Sequence, residues 1–598
     1  MIKSAFTLAC IIGSASSLRA ADARALVGPN ILVSRDGDLV HVELMIATSP
    51  RNPKHLLGGA ITATRPAGGW ACKSYASADG GYTWFDASFP EQVEAGGGDP
   101  LVAFTADGAA LFADLGHVRD EQGRERTVLM VYRSEDGGRT WGKPVVAAPG
   151  ADHPQIVVDH TGGKHNGRIY IGYLHGYPEY QVSVVRSDDG GRTFGKPVLA
   201  ASGKGIIGIN VTSVHLLSDG TLVVPYVDFD FHQQPKPPIE HSSGVWMVTS
   251  PDGGETFSSA MKVGTQNDRR DPMLFGMPMF AADVSAGPHR DRMYSVWTDY
   301  ASGQGRTIFT YSTDQGHTWT KPVVLDASGP AGTVQYQAQL AVNKNGLLAI
   351  TWFDTRAAND LAHYDEYFTA SLDGGVTFLK PVRVSSKTSQ MFGIGNMQII
   401  PSIWRHENLA RVSFTSPSTR WRSAGDYMGL AADTDGIFHP LWSDSRSGTF
   451  QIWTATVQVS TAAEPASIAP SDVRVIDMTK QVDIVTDPAH YDPSSHELEM
   501  PLRLKNLTGK PIYGPITVSV VKFGSGLGEM LRDYAPTVVN ATNRKTGAGA
   551  EFDYSNALGD LHVLAPGALT GAVEWRLRIE NPEKIPDMHL SITAAVIH

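Results

Sequence analysis

Cysteine is almost missing from this chain: of 598 residues only Cys10 and Cys72 carry a thiol. Cys10 lies in a stretch with the character of a removable leader, which leaves Cys72 alone. No intramolecular disulfide can form, so packing and hydrogen bonds must hold the fold. Long apolar runs are missing too. AFTLACII at 5–12 is far shorter than the roughly 20 residues a membrane helix needs. Preceded by Lys3 and followed by small residues ending in SLRAADA, it reads as a signal peptide over 1–21, with no transmembrane segment. The expected destination is secreted, periplasmic or cell-surface, and the short leader looks bacterial. Basic charge is also scarce. Lys and Arg number 50 against 61 Asp and Glu, a net −11 that becomes −13 without Lys3 and Arg19. A nucleic-acid binder would show a basic patch, and none is evident. Metal-ligand spacing such as HExxH is absent around His153 and His175, so no metal site is predicted from histidines.

What the chain does have is glycine (61), proline (36) and a repeat. SADGGYTW (77–84), SEDGGRTW (134–141), SDDGGRTF (187–194), SPDGGETF (250–257), STDQGHTW (312–319) and SLDGGVTF (371–378) recur at spacings of 57, 53, 63, 62 and 59 residues. A near-constant period of this size marks a repeated supersecondary unit. Each period holds four short runs rich in Val, Ile and Tyr, as in DPLVAF, AALFADL, TVLMVYRS and PVVAA of the second unit. These read as strands, and four strands per repeat is the make-up of a propeller blade. The eight-residue box falls between strands three and four. Its Asp suits acceptance of turn amides, its glycines suit left-handed backbone, and its Trp or Phe suits packing between sheets.

Counting first strands gives seven blades, with six boxes. The seventh unit (425–459) lacks a box and a fourth strand, while NILVS at 30–34 resembles the fourth-strand runs. The N-terminal strand is therefore expected to complete the last blade and close the ring. After about residue 461 the period stops. LEMPLRL, PITVSVV and AVEWRLRI then suggest a second all-β unit over 461–598, a β-sandwich of Ig-like size. The propeller itself is expected over 28–460.

The pattern S-x-D-G-G-x-T-W/F resembles the Asp-box, or BNR, repeat of the sialidase superfamily. That resemblance implies a β-propeller with the boxes on the face away from the active site. It also implies glycan substrates and exo-glycoside hydrolase chemistry. The sequence departs from the sialidases in having no Arg-Ile-Pro motif and in its seventh blade, since sialidase propellers usually have six.

If the boxes lie at one end, the segments leading into strand one and out of strand two lie at the other. Strand one is approached through Glu43, Asp99, Asp152-His153, Asn210, Asp271, Gln335-Tyr336-Gln337 and Asp426-Tyr427. Strand two is left through His117, His175, Asp228-Phe229-Asp230, Asp299-Tyr300, Asp354-Thr355-Arg356 and Asp444-Ser445-Arg446. Converging carboxylates raise one another's pKa, as general-acid work near neutrality requires. Asp99, Asp152, Asp271 and Asp426 are thus the candidate catalytic carboxylates, with Tyr427 as nucleophile or acid. Arg356 and Arg446 suit bidentate contact with an acidic sugar, and Tyr336 and His153 complete the substrate-binding set. No cofactor is required, although the same carboxylates suit Ca²⁺. Each feature has a structural reading as well: the Asp-x-Arg pairs can serve as intra-sheet ion pairs and the Asp-Pro steps as strand starts. The competing functions are a non-catalytic glycan-binding adhesin and a propeller polysaccharide lyase using His153 or His175 with a Tyr.

Overall fold

The computed structural model describes residues 23–597 except 36–38, 64–69, 88, 90–97, 120, 122–124, 177–179, 204–206, 231–238, 240, 270–273, 275, 398–399, 407–408, 416–423, 461–472, 525–534, 559–562 and 582–585. The leader at 1–21 and the candidate Asp271 lie outside these residues.

Seven antiparallel sheets follow one another in chain order through residue 460. Blade 2 is representative, with strands Leu101–Phe104, Ala110–Arg119, Glu125–Ser134 and Val145–Pro149 from first to fourth. Blades 1, 3, 5 and 6 begin at His41, Asp152, Met279 and Gln335. Blade 4 splits its first strand into Ile207–Val211 and His215–Leu216. First strands of successive blades touch all round, including blade 7 against blade 1, so the sheets form a closed ring.

Closure follows the expected route. Blade 7 takes Gly429–Ala432, Phe438–Asp444 and Gln451–Thr454 from its own unit and Ile31–Leu32 from the start of the chain. Ile31 pairs with Thr454 and Leu32 with Trp453. Ser34 extends the seam, its hydroxyl donating to Gln451 at 2.8 Å while accepting the Ile452 amide at 2.9 Å.

The six boxes are hairpin staples joining strands three and four. In the first, the Asp79 carboxylate accepts the Ser77 hydroxyl, the amides of Tyr82 and Thr83, and the Thr83 hydroxyl, all at 2.5–3.1 Å. Around Asp314 the Ser312 hydroxyl and the Thr318 amide and hydroxyl do the same, and the Thr318 hydroxyl above all holds the carboxyl down to about 2. In the second, fifth and sixth boxes the second glycine also sets blade spacing. A Cβ on Gly138 would lie 2.9 Å from Leu57 of blade 1, one on Gly316 2.5 Å from Met247 of blade 4, and one on Gly375 2.7 Å from Phe309 of blade 5. The box thus presses its backbone onto the preceding blade, where only glycine fits.

Residues 473–597 form two further five-stranded antiparallel sheets. They enclose their own core of Leu504, Ile516, Val518, Trp575 and Ile592, with Phe552 stacked on Trp575 at 3.6 Å. This is a β-sandwich. Tyr513 of this unit meets Tyr82 of the first box, ring centres 6.4 Å apart, so the sandwich touches the box end of the propeller. The insertion before blade 7 contributes a hairpin, Ile400–His406 with Leu409–Thr415. No helix among the described residues is long and apolar enough to cross a membrane.

Candidate functional site

At the end opposite the boxes, four first strands share a local distortion. Glu43, Asp99, His153 and Gln337 all have left-handed backbone, with φ of 55°, 51°, 44° and 52°. The ladders of blades 1, 3 and 6 shift register at Val42/Met45, Asp152/Gln155 and Tyr336/Gln339, which are β-bulges. Bulges re-aim side chains, and left-handed non-glycine residues store backbone strain that clusters at functional sites. Here the strained residues are all polar and stand at corresponding positions of different blades.

Neighbouring segments lock these bulges. The Glu43 amide donates to the Ala424 carbonyl at 3.1 Å. Gly425 (φ +113°) packs so tightly that a Cβ would sit 2.5 Å from Glu43. The Gln337 side-chain amide donates to the Gly425 carbonyl, and its backbone amide faces the Thr298 hydroxyl at 3.3 Å. Blades 1, 5, 6 and 7 are thereby joined at one level.

Three of the predicted carboxylates meet on this framework. The His153 amide donates to Asp99 at 2.9 Å and to Asp152 at 3.1 Å. Burial, opposed by His153 and reinforced by Asp152, raises Asp99 to about 6. The His153 ring reaches the Asp426 carboxylate of blade 7 at 3.9 Å. Asp99 is buried, Asp152 is exposed, and His153 and Asp426 lie between these extremes. The cluster therefore runs from a buried acid of raised pKa to a solvent-facing carboxylate.

The remaining predicted residues have other surroundings. Tyr427 is buried beneath the cluster, its hydroxyl pushed well up by burial and then by Asp99 and Glu43. That environment opposes the nucleophile or acid role expected from sequence. Tyr336 is a core residue, fully buried against the rings of Phe353 and Tyr364. Arg356 pairs with Asp354 and, at 2.5 Å, with Asp326, and lies 4.7 Å over the Tyr367 ring. Arg446 pairs with Asp444, donates to Ser386 and Asn30, and lies 4.1 Å over Trp453. In both blades a Trp two residues before the Asp donates its indole NH to that carboxylate, Trp352 at 3.1 Å and Trp442 at 3.2 Å. Trp-x-Asp-x-Arg is thus a repeated blade staple with its charge already neutralised, not a pair of open anion contacts.

Glu43 and Gln337, named from sequence only among the approaches to strand one and given no role there, belong to the site by position. The signal that finds them is the left-handed backbone they share with Asp99 and His153. Among the described residues, no group of three or more His, Cys, Asp or Glu side chains has metal-holding geometry.

No protein-family profile matches the chain, and no curated protein matches it by sequence. Among solved structures, an α-L-arabinofuranosidase from Fusarium graminearum is similar at 16% identity and TM-score 0.40, over 58% of this chain and 98% of that one. An ulvan lyase shows 12% identity and TM-score 0.40, over 72% and 93%. A leech intramolecular trans-sialidase shows 11% identity and TM-score 0.31, over 74% and 94%. These distant neighbours are carbohydrate-active enzymes.

Proposed function

We propose that the chain is an exported glycoside hydrolase whose acid/base pair is built from Asp99 and the carboxylates beside it. The observation that carries this reading is the convergence of Asp99, Asp152 and Asp426 around His153. Glycosidic cleavage needs an acid to protonate the leaving oxygen and a carboxylate to activate water or to meet the developing cation. Asp99, at about 6, keeps a proton close to neutrality and can take it back. Asp152, which accepts the same His153 amide, lies on the solvent side. Asp426, across the His153 ring, supplies the second carboxylate, and the imidazole between them fixes its direction.

The test is release of reducing ends from a panel of neutral and acidic oligosaccharides by wild type, Asp99→Asn and Asp426→Asn. Asp99→Asn should lower kcat by about 10²- to 10⁴-fold, the range for a general acid, with an unchanged melting temperature. In the wild type, kcat/KM should fall as pH rises through about 6, because Asp99 acts in its protonated form. Full turnover by Asp99→Asn sinks the reading. Unsaturated products absorbing in the ultraviolet would indicate a lyase instead, and saturable binding without turnover an adhesin.

A further inference from the structure

On the blade 5 and blade 6 side of the ring lies a pocket of about 440 Å³ lined by Arg269, Tyr300, Ser302, Gln304, Val334 and Leu361. That volume falls within the roughly 300–1,000 Å³ typical of small-molecule sites. Its walls come from the segment after strand four of blade 4, which carries Arg269, the connection after strand two of blade 5, the approach to strand one of blade 6, and the connection after strand two of blade 6. In this topology all four are at the end of the ring that carries Asp99 and His153. Val334 stands three residues before Gln337, roughly 10 Å along an extended strand.

The pocket is braced from behind. The buried Arg306 guanidinium donates to the Thr333 carbonyl at 2.6 Å, the Pro330 carbonyl at 3.2 Å and the Gln304 side chain at 2.6 Å, tying two rims together. The Tyr300 hydroxyl donates to the Leu274 carbonyl at 2.6 Å, and Gly305 leaves room for the Tyr300 ring, since a Cβ there would lie 2.8 Å from it. Gly303 and Gly332, both at positive φ, present open backbone, with nothing within 4 Å of an added Cβ. Leu361 gives an exposed apolar edge.

Arg269 differs from the arginines of the blade staples. Arg356, Arg383 and Arg446 each face a carboxylate. Among the described residues, Arg269 makes only a backbone hydrogen bond to Asp268, and its guanidinium has no ion pair. A guanidinium left uncompensated at a braced pocket of sugar size, next to an amide and a hydroxyl, is a fork for an oxyanion.

We propose that this pocket is an anion subsite. Arg269 seats the carboxylate or sulfate of an acidic sugar, Gln304 and Ser302 bond its hydroxyls, and Leu361 and Val334 cover its apolar face. The proposal rests on the glycoside-hydrolase reading and gives its substrate a charge.

Titration calorimetry on the full chain tests it with three probes: an oligouronate, the same oligosaccharide after carboxyl reduction, and a sulfated oligosaccharide. The wild type should bind an anionic probe at least tenfold more tightly than the reduced one. Which anionic probe shows the preference distinguishes carboxylate from sulfate. Arg269→Ala should lose the preference at an unchanged melting temperature, and Arg269→Lys should keep part of it. Equal affinity for all three probes, no binding of any, or a preference that survives in Arg269→Ala overturns the subsite. Asp99-dependent turnover without charge preference would remove the subsite and leave the hydrolase. Arg269-dependent binding without turnover would do the reverse.

Discussion

Glu366 is buried in blade 6 with its carboxyl against the Thr351 hydroxyl. That hydroxyl also lies 2.7 Å from the Tyr367 carbonyl, which can only accept. One hydroxyl has one proton, so the contact with Glu366 is best made by a proton on the carboxyl itself. Burial agrees, raising Glu366 from 4.5 to about 8. An acid raised on folding stabilises most below its unfolded value, and that contribution is lost as pH climbs toward and through the folded one. The wild-type melting temperature should therefore fall between about pH 5 and 8, and Glu366→Gln should flatten that part of the profile. Parallel pH profiles for the two proteins would contradict the assignment. Arg446 makes a second case. Arg446→Ala leaves Asp444 buried without its cation and should cost about 3 kcal/mol in denaturant melts. A loss of ligand affinity at unchanged stability would instead restore it as an anion contact. Sequence could not decide this, because the ring beneath Arg446 is Trp453, on the next strand, and part of its anchorage is Asn30, at the other end of the chain.

The box turn was legible because its chemistry is complete within eight residues: Asp accepts, Ser and Thr donate, glycines turn. The bulge at the opposite end was not. Glu43, Asp99, His153 and Gln337 share a backbone angle and no residue type, so no motif marks them. Their polarity could be read from strand counting, which placed them at the end of the blades opposite the boxes. The fifth box tests the turn directly. Gln315 stands where the other boxes have glycine, at φ 60°. A left-handed L-residue costs roughly 1–2 kcal/mol, partly offset by the unfolded-state entropy that glycine adds. Gln315→Gly should then stabilise by about 0.5–1 kcal/mol. Gly375→Ala should do the opposite, by about 2–3 kcal/mol, because it adds overlap with Phe309 to the strained angle. If the two substitutions act alike in melts, the box is not the spacer described.

At the level of the whole chain, the number of blades was legible from period and strand count, and the seam from a short run at 30–34 that repeats the fourth-strand pattern. The lateral pocket at blades 5 and 6 was not, since Arg269, Gln304 and Leu361 come from three separate loops with nothing in common locally. Removing residues 28–36 should lower the melting temperature by several degrees, because it strips the last strand of blade 7 and the Ser34 contacts. An unchanged transition would show that the ring holds without its clasp.

That clasp also has a consequence in time. Ser34 and Gln451 are 417 residues apart, and closing so long a loop costs about 5 kcal/mol of chain entropy before any contact repays it. The segment precedes its partner by seven units of chain and finds it only after those units have been made. Until then it is an unpaired strand beside six growing sheets, each with an edge of similar pattern. Refolding should therefore be slow in its final step, with most strands formed early and the ring shut last.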